Sequence, residues 1–292
     1  MADVRTTPQQ LFKQWRFSGD AAAGQQMAQR FTDWYYAVST ARLGDAHGRA
    51  PMQRACLRFQ QGIVNISEPG ELADWAHAII ADEIREAGGR IGGGDFPNAL
   101  TDRRPPSELL AEARGQLAPA QLELLALTYD AAVPMSEVTR AADALGGMPV
   151  AVLEARHALK QALRANGVKL SEVAERPNLD CAPLPVYESG RMTNPTEEAN
   201  FEKWLLSDLS LCKDVAEFAA FALSMRTGAL RAAAPARGAT APTIAPSTRS
   251  PAAPQRPRSA ASALGPVMIL GVGLVVAVLA AGLVAAMVFL AK

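Results

Sequence analysis

From Pro8 to Ala165 the apolar residues recur at intervals of three and four, and the strict alternation of a half-buried strand is almost absent. The spacing predicts a first helix over about Pro8 to Trp15. Ser18-Gly19-Asp20 then breaks the chain, with Asp20 placed to cap a second helix. In that second helix Met27, Phe31, Trp34 and Tyr35 share one face, as in a helix packed against a core. Further helices are expected at Met52 to Gln61 and Glu71 to Glu86, followed by a connector marked by Gly88 to Gly94 and Arg103-Arg104-Pro105-Pro106. Three more follow at Ala120 to Tyr129, Met135 to Leu145 and Pro149 to Ala165, separated by a turn at Pro134 and by Gly146-Gly147. Short helices so spaced suit a helix-turn-helix, and Pro149 stands where its missing N–H costs nothing. The expected class is all-α.

The pattern changes near the C-terminus. Residues Ala232 to Gly265 carry Pro235, Pro242, Pro246, Pro251, Pro254 and Pro257 among Ala, Ser, Thr and Arg, so an extended tether is expected there. Val267 to Leu290 is then uncharged and apolar on every face. As a helix it would be roughly 36 Å long at 1.5 Å per residue, enough to cross a bilayer. The N-terminus MADVRTTPQQLFKQW has no apolar run, so no signal peptide is expected. Arg249, Arg256 and Arg258 precede the apolar run and only Lys292 follows it, which places the N-terminal part in the cytoplasm. The expectation is a single-pass tail anchor in the bacterial cytoplasmic membrane. Gly273, Ala277, Ala281 and Ala285 recur every four residues, a spacing that lets two such helices approach closely and allows a homo-oligomer. An Ala-rich anchor in an Ala-rich chain is the plainer account of them.

Charge adds a second division. No acidic residue follows Glu217, whereas seven basic ones do, so a basic tail balances an acidic front part in a chain of zero net charge. Residues 171–217 hold ten acids and four bases. Three cysteines, Cys56, Cys181 and Cys212, are odd in number and widely spaced, which suits a reducing compartment rather than a disulfide framework. The histidines His47, His77 and His157 have no metal-motif spacing. There is no phosphate loop, no Ser-centred elbow and no His-Glu metal motif, and Gly88 to Phe96 is Gly-rich without a preceding strand. No enzyme, cofactor or metal is expected.

The order of segments resembles bacterial sigma factors of the extracytoplasmic-function type. FSGDAAAGQQMAQRFTDWYYAVSTARLGD (Phe17 to Asp45), QRACLRF (Gln53 to Phe59) and ELADWAHAIIADEI (Glu71 to Ile84) look like sigma region two. LAPAQLELLALTY (Leu117 to Tyr129), SEVTRAADALGGMP (Ser136 to Pro149) and AVLEARHALKQALR (Ala151 to Arg164) look like region four. A second resemblance, over Cys181 to Phe221, is to the small helical domain of zinc-binding anti-sigma factors with their His-x3-Cys-x2-Cys signature. Cys212 matches its last cysteine and Cys181 an upstream one, while Leu205 and Leu209 stand at the other ligand positions. Zinc needs three or four N/S ligands, so this module is expected without metal, its leucines filling the space.

These resemblances imply five parts: a region-two-like domain over 1–100, a region-four-like helix-turn-helix domain over 101–168, an anti-sigma-like segment over 169–231, the linker over 232–265 and the anchor over 266–292. They imply core RNA polymerase as a partner through Gln53, Arg54 and Arg58, and promoter DNA through Arg156, His157, Lys160 and Arg164 of the reading helix, beside the lipid bilayer. Leu153, Glu154, Ala155 and Ala158 stand where the family carries Lys and Arg, and neither residues 1–100 nor 101–170 has net positive charge. DNA affinity draws largely on phosphate neutralisation. Two functions therefore stand side by side: a membrane-tethered transcription regulator in which the acidic segment covers the DNA-facing surface in cis, and a sigma-like scaffold that binds protein partners and no longer initiates transcription.

Overall fold

A computed structural model describes residues 6–88, 104–171 and 182–231. Among these residues every regular element is helical. The linker, the apolar run 267–290 and its Gly273, Ala277, Ala281 and Ala285 lie outside them, as does Cys181. No helix among the described residues is long and apolar enough to cross a membrane.

Four helices form the first group: α1 (Pro8–Ser18), α2 (Ala21–Leu43), α3 (Asp45–Gly62) and α4 (Leu72–Glu86). Thr7 opens α1 with a reciprocal capping box, its hydroxyl accepting from the Gln10 N–H while the Gln10 side chain accepts from the Thr7 N–H. Asp20 caps α2 as expected, accepting from the Ala22 and Ala23 amides. The chain reverses at Gly44, whose φ of 77° favours glycine. Gly48 then lies against the backbone of α2: a Cβ there would stand 2.9 Å from the Ser39 carbonyl carbon, so only glycine allows this crossing. The helix α3 starts earlier than the spacing predicts and runs through Pro51.

The second group is α5 (Pro106–Arg114), α6 (Pro119–Tyr129), α7 (Met135–Asp143) and α8 (Val150–Ala165). The stretch read from the sequence as connector contains α5, which starts on Pro106 and buries Leu109, Leu110 and Ala113. The turn between α7 and α8 uses Gly146 and Gly147, both with positive φ. The last described block supplies α9 (Leu184–Glu188), α10 (Pro195–Ser207) and α11 (Leu209–Arg226).

Eleven helices build two cores among the described residues, and the last block has none of its own. The first core gathers Phe12, Met27, Phe31, Trp34, Tyr35 and Phe59 with Leu184, Tyr187, Phe201, Leu205, Leu211, Cys212 and Val215. The second gathers Leu109, Leu124, Tyr129, Val138, Leu159 and Leu163 with Phe218, Phe221, Ala222, Met225 and Leu230. Thus α11 carries one apolar stripe whose first half faces α2 and whose second half faces α5 and α6. Burial of these side chains, at about 25 cal/mol per Å² of apolar surface, is what fixes the last block onto both groups.

Candidate functional site

The helix α8 has three faces. Val152, Ala155, Leu159 and Leu163 point into the second core. Glu154 and Gln161 point to solvent. Arg156 and Lys160 lie on the flank between, one turn apart, and there α9 and α11 close over them, leaving each with at most 3 % exposure.

The partners are acidic residues of the last block. Arg156 makes a two-pronged bond to Glu188, Nε to Oε2 at 2.8 Å and Nη2 to Oε1 at 2.6 Å. The same Nη2 lies 2.6 Å from Oδ2 of Asp214, and the guanidinium sits 4.3 Å over the Phe218 ring. Lys160 is paired with the other Asp214 oxygen. Tyr129 donates to Glu188 Oε2 at 2.7 Å. A planar guanidinium suits this bidentate, ring-stacked setting as no ammonium can.

Burial sets the electrostatics. It opposes the Arg156 charge, but Glu188 more than restores it, so that guanidinium is held firmly ionised. Burial, and then Arg156 beside it, push the Lys160 ammonium down to about 7, against the pull of Glu188 and Glu217. Burial also drives the Tyr129 hydroxyl far above its ordinary range, so it acts as a donor.

A second buried carboxylate anchors the same block to the first group. Glu202, fully buried on α10, receives Arg42 Nε and Nη2 at 2.6 and 2.7 Å, His77 Nε2 at 2.8 Å and the Tyr187 hydroxyl at 2.8 Å. Burial alone would raise its pKa; the His77 and Arg42 contacts outweigh this and hold it below the ordinary value. The Trp34 indole donates to the Glu202 carbonyl at 2.6 Å. Arg30 donates to the carbonyls of Leu206 and Ser207 at the end of α10 and of Thr6 at the start of α1. Tyr187 and Glu188 are chain neighbours, so α9 sends one side chain to the Glu202 carboxylate that holds Arg42 and His77 of the first group, and the next to Arg156 of the second group.

The remaining residues singled out from the sequence fall elsewhere. His157 and Arg164 are half-buried on α8, and burial lowers the His157 pKa, followed by Lys160, Arg156 and Arg164. Gln53, Arg54 and Arg58 share an exposed face of α3 with Leu57, which is 44 % exposed. Across on α4, Glu83 lies 2.5 Å from Arg54 and 3.1 Å from Arg58, and Asp82 lies 3.5 Å from Arg58. Of the residues at the zinc-signature positions, Leu205 and Cys212 enter the first core and Leu209 is half-buried at the start of α11.

The sequence did not single out Glu188, Glu202, Asp214, Arg42, His77 or Tyr129 as site residues. Asp214 carried a signal: it occupies a position of the apolar stripe Leu211, Val215, Phe218, Ala222, Met225, where an acid needs a buried partner. Comparison with protein-family models, curated proteins and solved structures found no match.

Proposed function

We propose that this protein is a membrane-tethered transcription regulator in which a sigma-like pair of helical modules is held shut by its own anti-sigma-like segment. The burial of Arg156 and Lys160 against Glu188 and Asp214 is the observation that carries it. These are two of the four residues that the family resemblance assigns to DNA, and the acidic block occupies the side from which phosphates would reach them. The other two, His157 and Arg164, stay half-buried, and Glu154 faces solvent beside them, so the closed form has little to offer a polyanion. The α3 face of Gln53, Arg54, Leu57 and Arg58 is the part left open for core RNA polymerase. The apolar run Val267 to Leu290 supplies the anchor, in a bacterial cytoplasmic membrane with the helical modules on the cytoplasmic side.

The test is binding of residues 1–231, as wild type and as the Glu188→Gln/Asp214→Asn double variant, to core RNA polymerase and to duplex DNA at two salt concentrations. The double variant should gain DNA affinity about ten-fold or more, with a steeper salt dependence as freed cations meet phosphates. A folded double variant that binds neither polymerase nor DNA sinks this reading. Membrane fractionation of the full chain against residues 1–231 tests the anchor: only the full chain should sediment with the membrane and resist alkaline extraction.

A second reading is favoured by α11, which is built into both cores and so resists release. On this reading the sigma-like modules are a permanent scaffold for protein partners at the membrane, and Arg156 is an interior strut. Recovery of polymerase subunits as the main partners from detergent extracts would overturn it.

A further inference from the structure

We propose that residues Leu184 to Arg191 are a polar latch on the second group of helices, that this latch opens on its own while α11 stays in place, and that its opening is the step that gives solvent access to Arg156. The proposal deepens the regulator reading by naming where the closed form yields.

It starts from an uneven division of side chains. Of α9, Leu184 and Tyr187 belong to the first core, and no residue from 184 to 191 belongs to the second. What holds this stretch to α6 and α8 is polar. Glu188 takes Arg156 and Tyr129. Arg191 donates to the carbonyls of Leu127, Thr128 and Val133 at 2.9, 2.7 and 2.7 Å, and also to that of Asp130, and so covers the end of α6 and the turn before α7. From the far side Arg226 Nε donates to the Glu188 carbonyl at 2.6 Å, and Arg231 pairs with Asp130.

By contrast α11 is held by Phe218, Phe221, Ala222 and Met225 on one side and by Leu211, Cys212 and Val215 on the other. Water replaces a carboxylate, a guanidinium or a carbonyl as a hydrogen-bond partner, but offers nothing to an apolar stripe. The two contacts therefore differ in what opening costs, and segments with few apolar contacts open first. An open latch leaves Arg156 with Asp214 and the Phe218 ring, and uncovers the guanidinium edge that Glu188 occupies. Lys160 stays closed, because its partner is on α11.

Hydrogen exchange of the full chain in detergent micelles, followed residue by residue at rising sub-denaturing urea, tests this without any substitution. The amides of Ser189, Gly190 and Arg191 are each bonded within the latch. They should exchange about 100-fold faster than those of 211–225, with little dependence on urea, as local openings do. Modification of Arg156 by phenylglyoxal should follow the latch rate, and Lys160 should stay unlabelled by an amine-reactive N-hydroxysuccinimide ester. Glu188→Gln and, separately, Arg191→Ala should speed exchange at 186–191 about ten-fold and leave 211–225 unchanged.

Equal rates and equal urea dependence for the latch and α11 would overturn the proposal, because the block would then open as one unit. Arg156 that stays unmodified while the latch exchanges would overturn the claim that the latch frees it. A latch that opens as described in a protein that binds neither polymerase nor DNA defeats the regulator reading alone. A variant that gains DNA binding with the latch still exchanging in step with α11 defeats the latch alone.

Discussion

Arg156 and Lys160 stand one turn apart on the same flank of α8 and share Asp214, yet their removal should differ in consequence. Arg156 hydrogen-bonds to the Glu188 carboxylate and is ion-paired with Asp214. Arg156→Met leaves the buried Glu188 carboxylate without its cation, held by the Tyr129 hydroxyl, and Asp214 with Lys160, and should destabilise the protein by about 3–5 kcal/mol in urea unfolding. Lys160 carries a charge that burial already resists, and Asp214 keeps Arg156 when it is lost. Lys160→Met should therefore change stability by less than about 1.5 kcal/mol. Glu202 makes the fold acid-sensitive. Its folded pKa lies below the ordinary 4.5 of an unfolded glutamate, so its contribution is fully present above that value and is lost as pH falls through the depressed one. Urea midpoints should fall as pH drops below the ordinary glutamate value, and Glu202→Gln should flatten that part of the profile. At this scale the sequence is a poor guide to direction: Arg156 and Lys160 read equally well as a solvated basic face, because helical spacing tells which residues share a flank and not what covers it.

Among the elements, α11 is the one on which the others depend. Phe218→Ala removes a ring packed under Arg156 and within the second core, and should cost about 3–5 kcal/mol. Two buried cysteines, Cys212 on α11 and Cys56 on α3, give a readout. Burial pushes the Cys56 thiol up to about 11 and, with Asp33 next, the Cys212 thiol up to about 12. Both should resist iodoacetamide at pH 8 in the native protein, with about a thousandth of the thiol ionised or less. In the Phe218→Ala variant Cys212, on the α2–α11 seam, should become reactive no sooner than Cys56 inside the first core, because the helix they report on serves both cores. Much of the element list was legible from spacing: α2, α4, α6, α7 and α8 lie where the apolar pattern puts them. The misses have local causes. Pro105-Pro106 reads as a breaker but serves as the start of α5, and Pro51 reads as a helix start but lies inside α3, which α2 and α4 hold in place.

For the whole molecule, three consecutive sequence blocks become two cores, and that step was hidden. Periodicity identifies an apolar face, but α11 has one continuous stripe, and nothing in it marks that the stripe changes partner between Val215 and Phe218. If the blocks are so interlocked, the covalent link between α8 and α9 is dispensable once the fold has formed. A specific protease site inserted between residues 172 and 181 should, after cleavage, leave both pieces eluting together on gel filtration, with unchanged helical circular dichroism. Separation of the pieces without denaturant would contradict the shared cores.

The pairing of α2 with α11 also has a consequence in time. These two helices lie near opposite ends of the described residues, and α2 leaves the ribosome with Trp34 lacking the last block, whose Glu202 carbonyl takes its indole. At about 5–20 residues per second the covering helix follows roughly ten seconds or more later. During that interval the nascent protein exposes the apolar seam of its first core, and a chain stopped before Leu209 never covers it. Newly made protein should therefore be a client of ribosome-associated chaperones, and products truncated before Leu209 should be cleared rapidly in a pulse-chase experiment while the chain ending at Arg231 persists.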